Sequence, residues 1–289
     1  MLSSHNVTVL DNLSTGQVAN IPDDINFVCC DIRSPIAQDV IKDGHFDAIV
    51  HLAAQTMVPA SLMDPKNDME NNVEGTVNIL EAARKYGVGR IIFSSSAAVY
   101  GDVPADRLPI RETEMPAPMS FYGLSKMTCE NYIRLYHKLY GLSYTIFRFA
   151  NVYGERQGNG GEGGVISIFA KALAENRPVT IYGNGRQTRD FIYAGDIARG
   201  IEKSLLAEKA DVTCNLGTGK EVTIQETADR LLRISGSRQP VLYGAAREGD
   251  IFRSALSGEK AYASFRWKPE TDWQKGLERT YSYFETISR

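Results

Sequence analysis

Short apolar runs alternate along this chain with longer stretches in which apolar positions recur every three or four residues. The runs are His5-Asn6-Val7-Thr8-Val9-Leu10-Asp11, Phe27-Val28-Cys29-Cys30-Asp31-Ile32-Arg33, Asp47-Ala48-Ile49-Val50-His51-Leu52-Ala53-Ala54, Arg90-Ile91-Ile92-Phe93 and residues 143–149. Runs this short predict strands, and the nearly all-apolar ones predict strands covered on both faces, as in a parallel sheet. The intervening stretches predict helices. Asn71-Asn72 is expected to open one with Val73, Val77 and Leu80 inward. A second, starting near Tyr122, takes Tyr132, Leu135, Tyr136 and Leu139 as its core face. Thr223-Ile224-Gln225-Glu226 and Thr271-Asp272-Trp273-Gln274 read as capping boxes. The first precedes a stripe at Ile224, Ala228, Leu231 and Leu232; the second precedes Leu277, Tyr281 and Phe284.

After Tyr153 the pattern changes. Residues 154–164 hold six glycines and little that is apolar, which predicts a loop. A helix over residues 165–174 follows Gly163-Gly164 directly, a seat suited to a diphosphate. Gly183-Asn184-Gly185 is a turn feeding a strand that ends Phe191-Ile192-Tyr193.

Composition narrows the classes. A chain of 289 residues can bury one large α/β core or two smaller ones. A net charge of −3 offers nothing that would attract nucleic acid or an acidic membrane. No apolar run approaches the ~18 residues of a membrane span, and a signal-peptide pattern is missing at the start. Cys29, Cys30, Cys129 and Cys214 show neither Cys-x-x-Cys nor disulfide-scaffold spacing, and the histidines form no ligand motif. A reducing cytoplasm and no structural metal are the expectation.

The chemistry concentrates between Ser94 and Lys126. Ser94-Ser95-Ser96 stands where a buried strand would end, and Tyr122-Gly123-Leu124-Ser125-Lys126 follows a Pro-rich loop. Four residues apart on a helix, Tyr122 and Lys126 share a face. A phenol near pKa ~10 is a poor base at neutral pH, but an ammonium one turn away favours the phenolate. A serine hydroxyl at the strand end can bridge substrate and phenol. No His or Asp is placed to serve that serine, so the set reads as a proton-transfer site and not a nucleophile triad. Alone, Tyr-x-x-x-Lys also fits an exposed helix pair; the serine-tipped strand upstream separates the two readings.

With those residues in place, the chain resembles the extended short-chain dehydrogenase/reductases, specifically the NAD-dependent nucleotide-sugar epimerase/dehydratase group typified by UDP-galactose 4-epimerase. The resemblance implies an α/β fold with a Rossmann-type doubly wound parallel sheet and a smaller C-terminal α/β substrate-binding region. Residues 1–153 would bind NAD and residues 154–289 would mainly bind the nucleotide sugar, with 191–217 returning to the first domain. It implies Ser96, Tyr122 and Lys126 as catalytic residues. Asp11, Asn12, Asp31, Ile32, Leu52, Ala53, Ala54 and Asn71 would meet NAD, together with Tyr122 and Lys126. Asn151, Arg189, Arg247 and Asp250 would hold a UDP-sugar, with Ser254 beside the sugar C2 substituent and Ser96 at its 4-oxygen. A homodimer is the family habit, and His51 reads as structural.

The chain departs from the family pattern at its start. The first strand and its Gly-x-x-Gly-x-x-Gly loop are not found, and the expectation is an N-terminally truncated Rossmann domain. That leaves a nucleotide-sugar-binding fragment of impaired activity as one alternative. A sugar dehydratase is another, but dehydratases need an acid/base pair where this chain has Ala97 and Ala98. Epimerisation at carbon 4 is the stronger expectation.

Overall fold

The computed structural model describes residues 5–158, 163–208, 211–246 and 251–288. It separates into two compact units, one of residues 1–99, 116–148 and 201–214, the other of residues 100–115, 149–200 and 215–289.

In the first unit, β1 (Thr8–Asp11) and β2 (Asn26–Cys29) precede α1 (Pro35–Gly44) and β3 (Ala48–His51). Helices α2 (Val58–Met63), α3 (Pro65–Met69) and α4 (Gly75–Tyr86) come next, then β4 (Arg90–Ser96), α5 (Phe121–Tyr140) and β5 (Ser143–Phe149). The chain continues through β6 (Asn151–Tyr153), α6 (Val165–Ala174), β7 (Val179–Tyr182), β8 (Thr188–Arg189), β9 (Phe191–Tyr193), α7 (Ala194–Leu206) and β10 (Val212–Leu216). It ends with β11 (Val222–Thr223), α8 (Ile224–Ser235), β12 (Val241–Gly244), α9 (Glu259–Phe265) and α10 (Trp273–Ile287).

The predicted strands form, in parallel where β3 meets β4 with Ile49 opposite Ile91. The main sheet runs β10-β5-β4-β3, and β1 with β2 makes a separate parallel pair. Both sheets share one apolar core. Leu10, Val28 and Ile49 pack on the same cluster as Leu80, Ile91, Phe93, Ile133 and Ile146. Each such aliphatic or aromatic side chain contributes about 1.5–3 kcal/mol relative to exposure. In the second unit α6, α8 and α10 enclose a core of Phe169, Leu173, Ile181, Leu231, Leu277 and Phe284. Among the described residues no helix is long and apolar enough to cross a membrane.

Three sequence expectations are corrected. Asn71-Asn72 does not open a helix: a π-helical turn over Glu70–Glu74 joins α3 to α4, and the N-cap is Asp64, whose carboxylate accepts from Asn67 N at 3.0 Å. Val73 and Val77 are only half-buried, whereas Ile79, Leu80, Ala82 and Ala83 are buried. The core face of α5 is Gly123, Ser125, Lys126, Cys129, Glu130, Ile133 and Tyr136, leaving Tyr132, Leu135 and Leu139 exposed. Polar side chains occupy that inner face, so the most apolar stripe turned out to be the outer one. The capping box forms at Thr223 and Glu226 as read, but α10 is capped by Asp272 and not by Thr271.

Candidate active site

Strand geometry sends the three serines of β4 to different tasks, because successive side chains leave opposite faces. Ser94 Oγ donates to the His51 carbonyl at 3.2 Å, and Ser95 Oγ donates to Glu130 at 2.6 Å on the other side. Ser96 Oγ accepts from Ala98 N at 3.1 Å, and its side chain favours the charged form of the Tyr122 phenol. The sequence singled out Ser96; the structure sets it against the phenol.

Tyr122 lies in the first turn of α5, which Ser120 caps by accepting from Gly123 N at 3.1 Å. Glycine is required at 123 for close approach: a Cβ there would stand 2.5 Å from the Ala98 carbonyl oxygen. That approach brings the phenol to the serine turn. Lys126 donates from Nζ to the Ser94 carbonyl at 2.8 Å, with its ammonium 4.9 Å from the Phe93 ring centroid and 5.9 Å from that of Tyr122. Burial pulls Lys126 down to about 8. For Tyr122 the expected effect of the ammonium is not the controlling one. Burial pushes the phenol above its ordinary value, and Ser96 offsets only part of that rise.

Behind this pair lies a polar layer that the sequence did not reveal. Glu130 is fully buried and accepts from Arg148 Nε at 2.8 Å and from its terminal nitrogen at 2.6 Å, from Arg134 at 2.7 Å and from Ser95. On the opposite side, buried Asn72 clamps the loop after β3. Its Oδ1 accepts from Gln55 N at 2.8 Å, and its Nδ2 donates to the Gln55 carbonyl at 3.0 Å and to Ser125 Oγ at 3.0 Å. Asn71, chosen from the sequence, instead turns its amide to Asn67. His51 has the structural surroundings expected of it: Thr76 commits its hydroxyl hydrogen to the Asn72 carbonyl, so the imidazole Nε2 donates to Thr76 Oγ1 at 2.9 Å. Burial lowers this imidazole to about 3, which keeps it neutral.

The other first-unit candidates gather at the carboxyl ends of parallel strands, the edge where open α/β sheets seat ligands. Asp11 ends β1, and its carboxylate accepts from Leu13 N at 2.7 Å. Gly16 closes on it, since a Cβ there would lie 3.1 Å from Asp11 Oδ1. Asn12 donates to Asp31 at 3.1 Å, and Arg33 grips Asp31 through backbone and guanidinium, holding its carboxyl well below the ordinary range. Ile32 is half-buried beneath Gly75, Leu52 and Ala53 are exposed, and Ala54 is half-buried. Half-exposed carboxylates at two strand ends, with small residues baring backbone beside them, fit the ribose hydroxyls and adenosine of a dinucleotide.

In the second unit, Asn151 is exposed and takes its backbone bond from N to the Asp190 carbonyl at 2.9 Å. Arg189 is half-buried and donates to the Thr188 carbonyl at 2.8 Å. Its neighbour Asp190 is fully buried and accepts from Thr218, Gly219 and Leu256 backbone amides, tying three loops together. Ser254 is buried at 9% exposure. Arg247 and Asp250 lie outside the described residues. Sequence reading passed over a cavity of about 170 Å³ lined by Tyr182, Asn184, Gln187, Ile251 and Phe252. Two aromatic rings and two side-chain amides are what a flat polar ring would need. The available signal was an aromatic placed between an apolar strand and a glycine turn.

The family model described as NAD dependent epimerase/dehydratase family matches residues 1–217. A Methanocaldococcus jannaschii protein provisionally named UDP-glucose 4-epimerase is 42% identical over 99% of this chain and 93% of its own length. The Thermotoga maritima UDP-glucose 4-epimerase, solved with UDP-glucose, superposes with a TM-score of 0.95 at 34% identity, covering 100% of this chain and 93% of that one. A Methanobrevibacter ruminantium UDP-N-acetylglucosamine 4-epimerase, solved with UDP-N-acetylmuramic acid, gives 0.91 at 32% identity, covering 98% and 91%.

Proposed function

From the premise that the chain belongs to the NAD dependent epimerase/dehydratase family, we propose that it inverts carbon 4 of a UDP-sugar through a transient 4-keto sugar. The observation that carries this reading is the turn of α5 that sets Lys126 one helical turn beyond Tyr122, its ammonium 5.9 Å from the Tyr122 ring centroid and bonded to the Ser94 carbonyl at the end of β4, where Ser96 favours the charged form of the phenol. Bound NAD supplies a reversible acceptor for the hydride of that carbon. Tyr122 takes the proton of the sugar 4-hydroxyl and later returns it, with Ser96 bonding the 4-oxygen throughout. Lys126 supplies a fixed cation beside the phenol and a donor for ribose. Asp11 and Asn12 would bind adenosine ribose, Asp31 and Ile32 would flank adenine, and Leu52, Ala53, Ala54 and Asn71 would line the rest of the dinucleotide. Asn151 and Arg189, with Arg247 and Asp250, would hold the uridine diphosphate, for whose phosphates the two arginines offer paired donors. The cavity beside Tyr182 suits uracil.

Ala97 and Ala98 cannot move protons, which favours epimerisation over water elimination. The test is incubation with UDP-glucose and UDP-N-acetylglucosamine, with products resolved by chromatography and mass. A 4-epimer of unchanged mass is expected; a product lighter by one water would overturn the reading. The small, buried Ser254 supports acceptance of the N-acetyl sugars. Ser254→Tyr is expected to abolish turnover of UDP-N-acetylglucosamine and spare UDP-glucose, and equal loss on both would remove the idea.

A homodimer is part of the same reading. Leu124, Tyr132, Leu135 and Leu139 form an exposed apolar stripe down α5, on the side away from the core. A second copy of this chain would cover it. Light scattering of Leu135→Glu is expected to give a monomer, and an unchanged oligomer would exclude this face. Four free cysteines, three of them buried, accord with a reducing cytoplasm.

A further inference from the structure

Ser95 and Glu130 take no part in the chemistry above, yet they meet where β4 ends. The register of β4 with β3 stops at Phe93, so Ser94, Ser95 and Ser96 run past that neighbour. Helix α5 grips this overhang at three points. Gly123 lies so close that a Cβ there would stand 2.5 Å from the Ala98 carbonyl oxygen. Lys126 Nζ donates to the Ser94 carbonyl at 2.8 Å. One turn further along the helix, Glu130 Oε1 accepts from Ser95 Oγ at 2.6 Å, within the charge-assisted range for a hydroxyl on a carboxylate.

Glu130 is a fixed acceptor. It is fully buried, and Arg148 on β5 spans both its oxygens, with Nε 2.8 Å from Oε1 and a terminal nitrogen 2.6 Å from Oε2. Arg134 donates to Oε2 at 2.7 Å and also to Thr213 Oγ1 on β10 at 3.1 Å. A buried ion pair of this kind adds little net stability over packed apolar side chains, but it fixes where its oxygens lie. Resting on the reading of Ser96 and Tyr122 as proton-transfer residues, we propose that the Ser95–Glu130 bond is a brace that holds Ser96 in place for the phenol. Ser95 is a positioning residue. Its side chain leaves the strand on the face opposite to Ser96, so it acts through the backbone the two share. Ser96 Oγ in turn accepts from Ala98 N at 3.1 Å, and a displaced Ser96 would open the turn that leads off the strand.

Two readouts test the brace, one of them free of turnover. In Ser95→Ala, hydrogen exchange of the Ala98 amide, followed by NMR, is expected to speed up roughly tenfold, while the core amides of Ile91 and Ile133 keep their protection. With UDP-sugar, kcat should fall about tenfold, and KM and UDP affinity should stay within a factor of about two. Ser95→Thr keeps the hydroxyl and should restore both exchange and rate. In a Ser96→Ala background, Ser95→Ala should cost less than about twofold, because the residue it positions has already lost its hydroxyl. Unchanged Ala98 exchange, or the same rate loss in both backgrounds, would overturn the proposal. Ser95→Cys, close in size and a weak donor, serves the comparison should the alanine variant fail to fold. Faster Ala98 exchange in a protein that epimerises no UDP-sugar sinks the epimerase reading alone; turnover with unchanged exchange sinks this proposal alone.

Discussion

Tyr122→Phe is expected to lower turnover by the ~10²–10⁴ that a positioned acid/base supplies, while UDP binding stays within a factor of two or so. The substitution removes one oxygen from a ring whose place is set by the cap at Ser120 and the close approach at Gly123, so the fold has little to lose. Ser96→Ala should cost less, since water can take over part of a hydroxyl's role. Steady-state kinetics with binding measured by calorimetry would check both. Full turnover by Tyr122→Phe would mean that another group carries the proton, and the pairing of Ser96 with Tyr122 would lose its chemical meaning.

Arg148→Met should have the largest effect on stability, a loss of about 3–5 kcal/mol, because it strips the principal cation from a fully buried carboxylate. Glu130 would keep Ser95 and the partly exposed Arg134, which do not replace a two-point guanidinium bond. The pH dependence has a definite sign. Burial pushes Glu130 up, but Arg148, Ser95 and Arg134 together hold it below its ordinary value. In the unaltered protein that contribution is present above the unfolded value of about 4.3 and is lost as pH falls through the lower folded value. Without Arg148 burial prevails, the folded value lies above the unfolded one, and the charged form becomes the unfavourable one. The stability gap between the two proteins should therefore narrow from pH 7 to pH 4.5. Urea midpoints at the two pH values measure it, and a constant gap would show that the lost packing of Arg148 matters more than its charge.

Much of the first unit was legible because its strands are short and mainly apolar. Ile91-Ile92-Phe93 is an unbroken apolar run of the kind a strand covered on both faces favours, and residues 143–149 keep enough apolar positions to read the same way although Thr145 and Arg148 are buried among them. The helix over residues 165–174 and the capping box at Thr223 and Glu226 were equally readable, because their signals are local. The placement of the three residues proposed for proton transfer was legible for the same reason: Tyr122 and Lys126 are one turn apart, and Ser96 ends its own strand.

Features set by partners distant in the chain could not be read in this way. Ser94, Ser95 and Ser96 are identical letters, separated only by what meets them: His51, Glu130 from α5, and Tyr122. Asn71 and Asn72 are likewise a doublet in sequence, and the turn of the helix decides that Asn72 clamps Gln55 while Asn71 faces Asn67. The inner face of α5 misled periodicity because the helix buries Lys126 and Glu130 there, each stabilised by a bond to a remote residue. Local pattern thus determined the strands, most helices and the placement of the residues proposed for proton transfer. Tertiary structure decided which polar groups are buried and what field they feel, because a buried charge depends on neighbours that the chain brings together only on folding.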